Sequence, residues 1–72
     1  MFNVYRENCG QTQEPYGKAE SEPLAVNMIR NAANIAGCDQ IKWSSIPGKL
    51  FPFCEIFSQG KLKARFYVEQ VQ

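Results

Sequence analysis

The chain contains no histidine, so no Ser–His or Cys–His couple can form and no histidine-ligated metal site can exist. Its nucleophiles are three cysteines, Cys9, Cys38 and Cys54, an odd number with no CxxC spacing. Cys38 follows the glycine expected to close a helix, and Cys54 falls on the expected core row of a strand. Both read as small buried hydrophobes, leaving Cys9 as the exposed thiol. The carboxylates Glu7, Glu14, Glu20, Glu22, Asp39, Glu55 and Glu69 follow no catalytic spacing. Gly48-Lys49 lacks the rest of a phosphate-binding loop. The residues therefore point to a protein without catalytic chemistry, metal or cofactor, whose work is binding.

Two sets of residues could bind. The first is an aromatic and basic row, Phe53, Phe57 and Tyr67 with Lys61, Lys63 and Arg65, which Tyr5 and Lys42 could extend, on the sheet face that a single helix leaves bare. Aromatics interleaved with cations stack on single-stranded nucleic acid and contact its phosphates. The same residue types dominate protein interfaces. Such a face can equally be covered by a long loop or by a second copy of the chain, and an Arg65–Phe53 cation–π pair needs no ligand. The second set is Asn27, Arg30, Asn31 and Asn34, on the polar face of the helix. Asn is a poorer helix former than Glu or Lys, so three of them at helical spacing suggest a contact surface, or a small tolerated cost.

Five elements are expected to position these residues, in the order β-α-β-β-β. Phe2 to Arg6 alternates as a first strand. Residues 7–21 (ENCGQTQEPYGKAES) have the composition of a polar loop. The helix opens at Ser21 or Glu22, carries Pro23 in its first turn and closes at Gly37. Its apolar stripe is Leu24, Ala25, Met28, Ile29, Ala32, Ile35 and Ala36. Ile41 to Ser44 alternates again and leads to a turn at Pro47-Gly48. Residues 53–57 and 62–68 then pair as a hairpin. A three-residue connection, Ser58-Gln59-Gly60, sets Glu55 against Lys63, Phe53 against Arg65 and Ile56 against Leu62, matching charges and apolar partners. The result is a two-layer α+β domain, one helix on a mostly antiparallel sheet. The first strand lies either parallel beside the strand at Ile41 or at the far edge.

Composition bounds the rest. Seventy-two residues make one domain with a thin core, and 44% apolar content is enough to form it. The formal charge of +1 is too small for strong nonspecific DNA binding. Residues 1–36 carry three basic and four acidic groups, and residues 37–72 carry five and three, which leaves room for a basic patch in the second half. The opening residues form no charged n-region or apolar h-region, and no apolar run approaches a membrane span. With an odd cysteine count, the expectation is free thiols in a reducing cytoplasm.

A strand at the start, a polar loop, an Ala-rich helix closed by Gly (AVNMIRNAANIAG) and a C-terminal antiparallel hairpin together resemble small phage-encoded anti-CRISPR proteins. The resemblance lies in the order of elements and includes no motif, so no residue carries over. It implies a noncatalytic inhibitor that caps a nucleic-acid-binding surface of a bacterial defence complex. Such proteins are often acidic, and this chain departs from that habit. The expectation is a small inhibitor or adaptor directed at a protein or ribonucleoprotein complex; the alternative is a single-stranded nucleic-acid-binding module using the sheet face.

Overall fold

The computed structural model describes residues 1–44 and 52–71, with Pro52 and Phe53 described by backbone alone. One helix, α1 (Glu22–Ile35), packs on an antiparallel sheet of five strands: β1 (Phe2–Asn8), β2 (Glu14–Ala19), β3 (Gln40–Trp43), β4 (Pro52–Ser58) and β5 (Lys61–Gln70). Their spatial order is β2-β1-β5-β4-β3. The two-layer α+β architecture expected from the sequence is thus present. The expected turn at Pro47-Gly48 lies outside the described residues.

Residues 7–21 differ from the expected loop, because they contain β2. Gly10, at φ 78°, turns the chain, and the Gln11 amide donates to the Asn8 carbonyl at 2.8 Å. The strand EPYGKA has little apolar content of its own. Pairing with β1 holds it, Phe2 opposite Ala19 and Val4 opposite Gly17, with a bulge at Tyr16 before Tyr5 meets Pro15. With β2 covering it, the first strand takes the far-edge position among the four strands expected, at the opposite end from β3. It lies inside the sheet, antiparallel to β5 from Phe2↔Gln70 to Asn8↔Ala64.

Helix α1 begins where the sequence places it. The Ser21 Oγ accepts from the Leu24 amide at 3.4 Å, Pro23 stands in the first turn, and Gly37 follows the last turn at φ 72°. The buried face is narrower than expected: Ala25, Ile29, Ala32 and Ala33 are inside, while Leu24, Ile35 and Ala36 are exposed. Three alanines around one isoleucine let the helix sit close to the sheet. Leu24 and Ile35, at the margins of the stripe, stay outside this contact, while Met28 packs against its edge. At Gly17 of β2 the fit is tight enough that an added Cβ would lie 2.9 Å from the Met28 sulfur.

The core joins Val4, Ala19, Cys54, Ile56, Ala64 and Phe66 of the sheet to these helix residues, with Ile41 and Trp43 packed against it. Phe66 is central, on the strand that pairs with both β1 and β4. Tyr16 meets its ring edge-on at 5.4 Å between centroids, and the Arg6 guanidinium carbon lies 5.6 Å from its centroid.

The β4–β5 hairpin corrects the expected register. Its connection has two residues, Gln59 (φ 53°) and Gly60 (φ 77°), both left-handed, so Ser58 faces Lys61 and Phe57 faces Leu62. A bulge then leaves Lys63 unpaired, and the ladder resumes at Ile56↔Ala64, Glu55↔Arg65 and Cys54↔Phe66. A two-residue turn without a bulge would set Ile56 against Lys63. The bulge restores an apolar partner to Ile56 and a cation to Glu55. Nothing lies within 4 Å of a Cβ built on Gly60, so Gly60→Ala meets backbone strain alone. We expect it to lower stability by about 1 kcal/mol in denaturant unfolding. No loss would contradict the turn.

Candidate functional site

The outer sheet face, opposite the helix, is built from three cross-strand rows. Lys18, Asn3 and Glu69 form one, Pro15, Tyr5 and Tyr67 the next, and Glu7, Arg65, Glu55 and Lys42 the third. Tyr-x-Glu occurs in both central strands, Tyr5-Arg6-Glu7 and Tyr67-Val68-Glu69, and antiparallel pairing sets Tyr5 directly opposite Tyr67. Each tyrosine reaches diagonally to the other strand's carboxylate. The Tyr5 hydroxyl donates to Glu69 at 3.1 Å, and the Tyr67 hydroxyl donates to Glu7 at 2.8 Å. Asn3 Nδ2 donates to the same Glu69 oxygen at 3.4 Å.

Arg65 closes the network. Its Nε donates to Glu55 at 3.0 Å, and its Nη1 lies 3.5 Å from Glu7. The hydrogen bond to Glu55 leads in raising the guanidinium pKa, so this cation stays charged and engaged. Burial, followed by the bond to Glu7, pushes the Tyr67 hydroxyl above its ordinary value. The Glu69 hydrogen bond does the same for Tyr5.

A raised folded-state pKa gives stability that is fully present below the unfolded value, about 10 for tyrosine, and is lost as pH rises through the folded value. We expect the ultraviolet titration of Tyr5 and Tyr67 to lag behind that of the urea-unfolded chain. Stability should fall as pH climbs above about 10, and Tyr67→Phe should weaken this dependence. Coincident titration in folded and unfolded chains would contradict the two hydroxyl–carboxylate bonds.

The expected aromatic and basic row is only partly assembled. Arg65 and Tyr67 lie on the outer face, but both are committed to carboxylates, and Tyr67 is largely buried. Phe57 is half-buried and pairs with Leu62. Lys61 pairs with Ser58 at the hairpin end rather than with Phe57, the partner a three-residue connection gives it, and Lys63 sits on the bulge rather than opposite Glu55. The side chain of Phe53 lies outside the described residues. Sequence reasoning missed Glu7 and Glu69 as members of this face, and it placed Glu55 there opposite Lys63 rather than Arg65. The signal was the repeated Tyr-x-Glu, which acquires meaning only once β1 is paired with β5.

Asn27, Arg30, Asn31 and Asn34 are all exposed on α1, as the helical spacing indicated. Arg30 is engaged within the fold, its guanidinium carbon 5.7 Å from the Trp43 ring centroid. The residues sequence reasoning missed here are apolar. Leu24 is 51% exposed and Ile35 85%, both placed inside by the periodicity.

Cys9 is exposed, Cys38 half-buried and Cys54 fully buried, and all three thiols are free. Burial, with a smaller effect from Glu55, pushes the Cys54 thiol up to about 12, so it is held as an unreactive thiol. Among the described residues, no group of three or more Cys, Asp or Glu side chains could hold a metal ion. No helix among them is long and apolar enough to cross a membrane. No family model, curated protein or solved structure matches the chain.

Proposed function

We propose that the chain is a small non-enzymatic binding domain, an inhibitor or adaptor that docks on a protein or ribonucleoprotein complex through the exposed face of α1. The observation that carries this is the exposure of Ile35 (85%) and Leu24 (51%) beside Asn27, Asn31 and Asn34. Apolar side chains set among amide donors and acceptors suit the core and rim of a protein interface. Arg30 is the single basic residue of α1, too little charge to hold a run of phosphates. The inhibitor end of the reading rests on the resemblance in element order to anti-CRISPR proteins. β2 departs from that order, because it lies in the segment read as a loop.

The alternative, a single-stranded nucleic-acid platform on the outer sheet face, is weakened by the carboxylates there. Glu7, Glu55 and Glu69 occupy the rows where phosphate would lie, and two of them hold Arg65. The test compares wild type with Leu24→Ser/Ile35→Ser as bait in nuclease-treated bacterial lysate. A partner held by wild type and lost by the variant, at equal thermal stability, supports docking through the helix. Equal capture by both removes the helix face from the reading. Salt-sensitive micromolar binding of single-stranded RNA or DNA would favour the alternative.

A further inference from the structure

The bulge at Tyr16 opens a hollow of about 350 Å³ between β1 and β2, lined by Asn3, Val4, Tyr5, Pro15, Tyr16, Gly17 and Lys18. The volume is at the lower end of the range for small-molecule sites. It is the right size for a molecule of one or two rings.

The register gives the hollow two chemically different ends. Tyr5 and Pro15 stand opposite each other and present ring surfaces at one end. Asn3 and Lys18 stand opposite each other at the other. Among the described residues, Lys18 makes no ion pair, and Asn3 separates it from Glu69 in the cross-strand row. The Tyr5 hydroxyl is already directed to Glu69, which holds the ring in place. An apolar seat bounded by two rings, with an unpaired ammonium at its far end, is complementary to a flat ring that bears a carboxylate.

We propose that this hollow binds a small aromatic carboxylate, with the ring against Tyr5 and Pro15 and the carboxylate on the Lys18 ammonium. The site lies on the outer sheet face and is separate from the exposed face of α1, so it does not depend on the docking role given to the helix.

Benzoate is the probe, titrated into the full chain and followed by amide chemical shifts. Saturable shifts at residues 3–5 and 16–18 are expected. Acetate keeps the charge but lacks the ring, benzylamine keeps the ring but inverts the charge, and each should bind at least about tenfold more weakly. Lys18→Gln, a substitution at an exposed position, should weaken benzoate by about tenfold while leaving the rest of the spectrum unchanged. Equal shifts with acetate or benzylamine would overturn the proposal. So would benzoate shifts scattered over other lysines, or benzoate binding that survives Lys18→Gln.

Discussion

Phe66→Ala should lower the unfolding free energy by about 3–5 kcal/mol, the range for deleting a buried aromatic ring. A domain of this size has on the order of 5–10 kcal/mol in total, so the variant should be partly unfolded at 37 °C. Phe66 is fully buried on the central strand, and its ring is also the platform for Tyr16 and the Arg6 guanidinium. Neighbouring strands are fixed by their ladders and cannot collapse far into the space the ring leaves. Phe66→Leu keeps most of the volume and should lose no more than about half as much. Urea unfolding monitored by Trp43 fluorescence measures both variants. A loss under about 1.5 kcal/mol for Phe66→Ala would mean that the ring is not the centre of the core.

Two isoleucines on one helix make the second test, because the sequence treats them alike and the fold does not. Ile29 is fully buried over the sheet, whereas Ile35 is 85% exposed near the helix end. Ile29→Ala should therefore cost about 2–5 kcal/mol. Ile35→Ala should lie within about 0.5 kcal/mol of wild type, as surface substitutions do. Equal losses at the two positions would restore the wide apolar stripe read from periodicity. The outcome bears directly on function, since only a dispensable Ile35 is free to serve a partner.

Much of the architecture could be read directly, and the failures share a cause. Ser21, Pro23 and Gly37 mark the helix through local chemistry, which does not depend on the rest of the chain. The core row of the final hairpin was also legible: Cys54, Ile56, Ala64 and Phe66 are buried. Alternation survives an error in the turn, but register does not. A bulge at Lys63 shifts the ladder by one residue and leaves no compositional mark. β2 escaped notice because Pro15 and Gly17 argue against a strand, and only its partner on β1 makes it one. The outer face was misread for the same reason. Its cations were visible in the hairpin, but its carboxylates Glu7 and Glu69 come from two ends of the sequence joined by long-range pairing.

The pairing of β1 with β5 also sets when this domain can fold. β1 has β2 on one side and β5 on the other, and β5 follows the other four described strands in the chain. Until residues 61–70 are available, the nascent chain has the β1–β2 and β3–β4 pairs and a short amphipathic helix, but nothing joins the two pairs and Ala64 and Phe66, the middle of the core, are missing. Such a fragment buries too little to be stable. The final strand must then insert between two partners, closing loops that span most of the chain, which places folding in the slower regime of small domains. Assembly is therefore expected as a single late step after synthesis of β5, with no folded N-terminal half to precede it.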